Sequence, residues 1–192
     1  MRAKTPLKKV KYFTFLSSDK LRKHLGVSQA TLTRLVKKGA ISRISFGLYA
    51  HPGWKIPPQE IDFAVACARF GPKSAIGGAS ALFHYGLLEQ PPSQIWVVCP
   101  PQKYGNKRFF RLLRTKTSPK EGIDKFKFYR ITNIERTVIE ALRFSSKIGT
   151  RIAINAGRKA LQQGLTTEKK LGEMARKLKL RFVIEKFWES IV

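Results

Sequence analysis

The chain has 192 residues and carries 38 Lys and Arg against 12 Asp and Glu, a formal net charge of +26. That length buries a real core in one large domain or in a small and a medium one, and the charge makes a polyanion the leading expected partner, ahead of a membrane surface. No apolar run reaches about 18 residues, and Met1 is followed by a basic, mixed stretch, which argues against a membrane span and a secretory leader.

A cytoplasmic protein is therefore expected. Cys67 and Cys99 fall in apolar segments and read as buried thiols, not as a disulfide or a metal site. The charge is spread unevenly. Residues 1–55 hold 13 Lys and Arg against Asp19 alone, whereas 56–145 hold 14 against 7 acids and 146–192 hold 11 against 4. The most one-sided segment comes first, as in a chain whose N-terminal part meets nucleic acid.

Residues 1–9 are basic and contain Pro6, and read as an arm in which Arg2, Lys4, Lys8, Lys9 and, just beyond it, Lys11 reach phosphates. Tyr12–Leu16 is aromatic and β-prone. From Ser18 the pattern becomes helical, with Ser18 or Asp19 as cap and Leu21 and Leu25 on one face. A Leu25-Gly-Val-Ser28 turn follows, and Ser28 caps a second helix.

In that second helix Leu32, Leu35 and Val36 share a face. Advancing about 100° per residue from Leu32 places Ala30, Arg34 and Lys37 nearly opposite, with Thr33 and Lys38 flanking them. Gly39 ends the helix. Ile41, Ile44, Phe46 and Leu48 then anchor a hairpin turned at Gly47, with Arg43 and Ser45 pointing the other way.

An aliphatic inner stripe under a small, hydroxylated and basic outer face suits a major groove. The segment reads as a winged helix-turn-helix. Ser28, Gln29, Ala30, Thr33, Arg34, Lys37 and Lys38 would lie at the DNA, Arg43 and Ser45 would reach phosphate or minor groove from the wing, and Arg22 and Lys23 of the first helix would add phosphate contacts.

His51–Pro58, with Pro52, Gly53, Pro57 and Pro58, is the clearest boundary. The expected organisation is a basic arm and winged helix over 1–53, a proline-rich linker over 54–58, and a mixed α/β domain over 59–192. In that domain a helix is expected over Gln59–Phe70, with Ile61, Val65 and Ala68 inside. A short strand, a glycine turn and a helix ending near Gly86 follow. The continuous apolar run Ile95–Cys99 implies a strand buried on both faces. Lys103–Lys116 interleaves six basic residues with Phe109, Phe110, Leu112 and Leu113. Phe109, Leu112 and Leu113 are expected in the core, and Lys107, Arg108, Arg111 and Arg114 can track phosphates. Phe126–Ile131 alternates like a strand, and from Ile134 onward helices are expected over about 134–145, 150–163, 167–179 and 182–191. The fold class is thus α+β, a winged helix-turn-helix followed by a mixed α/β domain with a helical C-terminal region.

Catalytic patterns are weak. Gly77-Gly-Ala-Ser80 before an apolar strand resembles the glycine pair of nucleotidyltransferases, yet the strand reads Gln94-Ile-Trp-Val-Val with no carboxylate for Mg²⁺. Glu121 and Asp124 near Lys127 are poorly spaced for a metal, Ser80 has no base beside it, and His84 reads as a core histidine. No catalytic residue, metal or cofactor is expected.

The helix-turn-helix, the wing Arg43-Ile-Ser-Phe-Gly-Leu-Tyr-Ala50, Gly78-Ala-Ser-Ala-Leu-Phe-His-Tyr-Gly-Leu87, Pro92 with Ile95-Trp-Val-Val98, and Ile131-Thr-Asn-Ile-Glu-Arg-Thr-Val-Ile-Glu-Ala-Leu142 occur in this order. Over roughly 13–165 this arrangement resembles the AbiEi-type antitoxins, although a short Val10–Leu16 segment stands where that family has a helix. The resemblance implies a repressor that binds the operator of its own operon in double-stranded DNA. It also implies a C-terminal domain that counteracts a nucleotidyltransferase-like toxin, apparently without a stable complex. The alternative from another class is a nucleic-acid-processing enzyme or RNA-binding factor that uses the winged helix for docking.

Overall fold

The structure, a computed structural model, describes residues 15–45, 47–104, 108–117 and 120–192. The expected contacts at Arg2, Lys4, Lys8, Lys9, Lys11 and Lys107, like the Phe46 anchor, lie outside the described residues. The architecture is mixed α+β: helices and strands are intermingled up to Thr132, and the region from Ile134 to Ile191 is helical. Two compact units divide between Arg69 and Phe70.

The N-terminal unit opens with β1 (Phe15–Ser17), α1 (Ser18–Leu25), α2 (Gln29–Lys37), β2 (Ser42–Ser45) and β3 (Leu48–Ala50), followed by α3 (Pro58–Phe70), which runs up to the division. Residues 53–57, ahead of α3, are in neither helix nor strand. Among the described residues the three short strands form an antiparallel sheet in the order β1-β3-β2. Leu21, Leu25, Leu32, Leu35, Ile41 and Tyr49 make its core, so both helices bury the leucine stripe that their spacing predicts.

The cap of α1 is Ser17, not Ser18 or Asp19. Its extended backbone (φ −67°, ψ 159°) sets its hydroxyl to accept from the Lys20 N–H, and the hydroxyl of Ser18 is engaged elsewhere. Ser28 caps α2 as expected, accepting from the Thr31 N–H at 3.2 Å. At the other end of α2 the Ala40 N–H bonds Leu35 O and the Gly39 N–H bonds Val36 O, a Schellman closure that needs the left-handed φ of 69° at Gly39.

In the C-terminal unit, five strands among the described residues form one sheet in the order β6-β5-β4-β8-β7. They are β4 (Ala75–Ile76), β5 (Ile95–Cys99), β6 (Phe110–Arg114), β7 (Ile123–Lys125) and β8 (Arg130–Thr132). Strands β5 and β6 are parallel, as are β4 and β8, while β4 meets β5 and β7 meets β8 antiparallel. Helix α4 (Gly78–His84) follows β4. After β8 come α5 (Ile134–Arg143), α6 (Ser145–Ile148), α7 (Thr150–Gln162), α8 (Glu168–Lys177) and α9 (Arg181–Ile191). Val138, Ile139 and Leu142 of α5 join Ala153, Ala156 and Ala160 of α7, Leu171 of α8 and Val183 and Ile191 of α9 in the main core.

Strand β5 is buried from Trp96 to Cys99, and both cysteines are free and buried. Burial pushes the Cys99 thiol above its usual range, against the pull of Arg114 and Lys103. Gly77 and Gly78 answer a packing demand. A Cβ on Gly77 would overlap the Val98 side chain, and one on Gly78 would stand 2.7 Å from Trp96 and 2.8 Å from Leu113. The glycine pair lets the β4–α4 turn settle onto β5.

Three further expectations fail. Phe126–Ile131 is not one strand: Lys125 ends β7, Arg130 begins β8, and the Phe126 N–H closes the intervening turn on Tyr129 O at 2.9 Å. The aromatic alternation records Phe126 stacked on Tyr129 across that turn, with centroids 4.8 Å apart. His84 is exposed, its ring edge-on to Tyr85, Phe126 and Tyr129, because α4 ends there and turns it out of the core. Phe109, just ahead of β6, is 57% exposed, and its neighbour Phe110 is buried edge-on against Phe70.

The core also holds charge. Arg136 donates from Nε and Nη2 to Glu140 Oε1 at 3.1 and 3.0 Å, and from Nη1 to the Glu121 carbonyl at 2.6 Å. Burial pushes the Glu140 carboxyl up and Arg136 draws it back down. Among the described residues no helix is long and apolar enough to cross a membrane.

Candidate nucleic-acid interface

Leu32 and Leu35 fix the roll of α2 by burying their stripe, and the opposite side of the helix is left in solvent. Ser28, Gln29, Ala30, Thr33, Arg34, Lys37 and Lys38 are all exposed. Their hydrogen bonds distinguish them. The Thr33 hydroxyl donates to the Gln29 carbonyl at 3.0 Å, so Thr33 presents chiefly its methyl group. The Ser18 hydroxyl donates to Gln29 Oε1 at 2.9 Å, tying the start of α2 to the start of α1 and leaving the Gln29 amide nitrogen as a donor. Ser28 shares a hydrogen bond with Thr31 Oγ1 as well as capping the helix. Its role is thus partly spent inside the protein. Ala30 adds no bulk above the backbone.

On α1, Arg22 is half-buried with Nη1 3.7 Å from Asp19, and Lys23 is exposed. In the hairpin Arg43 is exposed while Ile44 and Ser45 are both half-buried. A bulge explains this. Arg43 pairs with Tyr49 and Ser45 with Leu48, so an extra residue breaks the simple alternation that would turn Ser45 out with Arg43.

The expected phosphate contacts therefore fall into two sets, on different units. Arg22, Lys23 and the α2 and hairpin residues belong to the first unit. Arg108, Arg111 and Arg114 belong to the second, on or beside β6, which is an edge of the sheet. Each of these three guanidiniums sits against a ring: Arg108 5.5 Å from the centroid of Phe109, Arg111 4.7 Å from Trp96, and Arg114 5.3 Å from Tyr104. Arg114 also donates to the Lys103 carbonyl at 2.9 Å. All three are exposed. Cations set over rings in this way suit both phosphates and bases.

Other candidates have structural partners. The Ser80 hydroxyl accepts from the Trp96 N–H at 2.9 Å, pinning α4 to β5. Asp124 accepts from the Tyr85 hydroxyl at 3.2 Å, and that phenol is pushed up by burial and by the carboxylate. Among the described residues no group of three or more His, Cys, Asp or Glu could hold a metal ion. Sequence reasoning passed over Arg136 and Arg143. Their signal was two arginines seven residues apart on a helix otherwise rich in Val138, Ile139 and Leu142.

Neither a protein-family model nor a curated protein sequence matches the chain. Among solved structures the chain is similar to the crystal structure of the RV2827C protein from Mycobacterium tuberculosis. The TM-score is 0.59 at 14% identity, over 93% of this chain and 71% of that one. The likeness is one of fold.

Proposed function

We propose that the chain is a sequence-specific DNA-binding repressor of the antitoxin type, in which residues 15–50 act as a winged helix-turn-helix. The observation that carries this reading is the outer face of α2, where Gln29, Thr33, Arg34 and Lys37 stand exposed over a buried Leu32–Leu35 stripe. The β1-β3-β2 sheet with both helices between its first two strands supports the winged-helix assignment, with β2–β3 as the wing. Arg34 reads a guanine edge, Gln29 an adenine edge, Thr33 offers its methyl group to a thymine, and Arg43 grips the backbone.

The natural target is the chain's own operator in a cytoplasmic setting. Its counterpart is a nucleotidyltransferase-like toxin encoded beside it, and the C-terminal unit counteracts that toxin without catalysis of its own. A second reading, an RNA-binding factor, is favoured by the ring-backed arginines along β6.

Footprinting on the DNA upstream of the chain's own coding sequence, without divalent metal, tests the first reading. A protected site is expected, with log K falling against log salt at a slope steeper than about −4 if five or more phosphates are neutralised. A nearly flat slope, or stronger binding to single-stranded RNA than to that duplex, would count against it.

A further inference from the structure

The C-terminal unit contains a cavity of about 280 Å³ that the DNA-binding reading leaves unused. It lies where the chain enters β4 and leaves β5 and β6. Three lining residues are cationic, Lys73, Lys116 and Arg136, and three bear hydroxyls, Ser74, Thr115 and Thr117. Among the described lining residues none is acidic; the others are apolar or, at Cys99, a thiol. Arg136 is charge-balanced by Glu140, which leaves Lys73 and Lys116 to set the sign of the site.

The hydroxyls are oriented by Arg143. Its Nη1 donates to Thr115 Oγ1 and to Thr117 Oγ1, both at 2.8 Å, and the Thr117 N–H donates to Thr115 Oγ1 at 3.0 Å. Thr115 then has both lone pairs filled and turns its proton onto Thr117 Oγ1 at 2.7 Å. Thr117 Oγ1 in turn accepts twice, so its own proton is left to donate. A hydroxyl locked as a donor, in a cavity also lined by Lys73 and Lys116, calls for an anion.

We propose that this cavity binds a small organic phosphate monoester. The phosphate dianion sits between Lys73 and Lys116 and accepts from the Thr117 hydroxyl, and the organic part lies against Val98, Pro100 and Ile123. Two point-like ammonium charges match a phosphate dianion better than a single carboxylate. The volume is close to the lower bound of small-ligand pockets, roomier than bare phosphate needs.

The test is isothermal titration of the full chain, at fixed ionic strength, with adenosine monophosphate, inorganic phosphate and adenosine. Saturable one-to-one binding of the monophosphate is expected, with competition by inorganic phosphate and no binding of adenosine. The pair Lys73→Met and Lys116→Met should weaken binding by at least tenfold, and Thr117→Val by about tenfold. Both lysines are exposed, so the paired variant is expected to keep its melting temperature and decides the matter even if Thr117→Val does not fold. Lys169→Met with Lys170→Met, outside the cavity, controls for the overall positive charge and should leave affinity within twofold. No saturable binding up to about 10 mM, or equal weakening by the control pair, would overturn the proposal. A short oligonucleotide with a 5′-phosphate, compared with its 5′-hydroxyl form, separates the sources. Equal binding of the two assigns the site to a small molecule, and a preference that the Lys73/Lys116 variant abolishes assigns the same phosphate to a strand end.

Discussion

In the N-terminal unit Arg34 and Lys37 of α2 stand in solvent above Leu32 and Leu35, whereas in the C-terminal unit Arg136 and Glu140 are 1% and 0% exposed and bond each other inside the core. The same residue type is thus used in two ways. An exposed guanidinium on a helix whose roll is fixed by leucines is available to a ligand, and removing it leaves the fold alone. A buried guanidinium ties α5 to the Glu121 loop, and removing it leaves a carboxylate stranded in a low-dielectric core. Substitutions should therefore separate binding from stability according to burial.

The largest effect is expected in the C-terminal core. Arg136→Ala should cost about 3–5 kcal/mol in urea denaturation, because Glu140 is left without its partner. A loss below about 1 kcal/mol would mean that the pair is a tolerated ornament, as exposed ion pairs are. Next comes the stripe that holds α2. Leu32→Ala should destabilise the N-terminal unit by about 2–5 kcal/mol and reduce DNA binding with it. Retention of full DNA binding in a destabilised chain would break the link between that stripe and the reading face. Smaller again is Ser28→Ala, which removes the cap of α2 and should cost about 1 kcal/mol in thermal unfolding. An unchanged melting curve would show that the Ser18–Gln29 hydrogen bond alone fixes the start of that helix.

The sequence carried the N-terminal helices well, because Leu21, Leu25, Leu32 and Leu35 repeat at helical spacing and Ser28 and Gly39 mark the ends of α2. It carried β5 for a similar reason: a run bounded by prolines and buried on both faces leaves few alternatives. It misled where aromatic residues alternate without pairing, at Phe126–Tyr129, since a stacked pair across a turn mimics the period of a strand. The bulge at Arg43–Ser45 was invisible because one extra residue in a short hairpin leaves no compositional trace. Lys73, Thr117 and Arg143 were equally hidden. Lys73 precedes β4 and Thr117 follows β6, and they converge only because both strands flank β5, with Arg143 reaching Thr117 from α5.

The central claim, that α2 reads bases while the hairpin grips the backbone, is tested most directly by titrating Arg34→Ala and Arg43→Ala against the operator and a scrambled duplex at several salt concentrations. Arg34→Ala should lose about 1–3 kcal/mol on the operator and little on the scrambled duplex. Arg43→Ala should weaken both alike and reduce the salt slope by about one unit. Equal losses on both duplexes for Arg34→Ala would contradict the account.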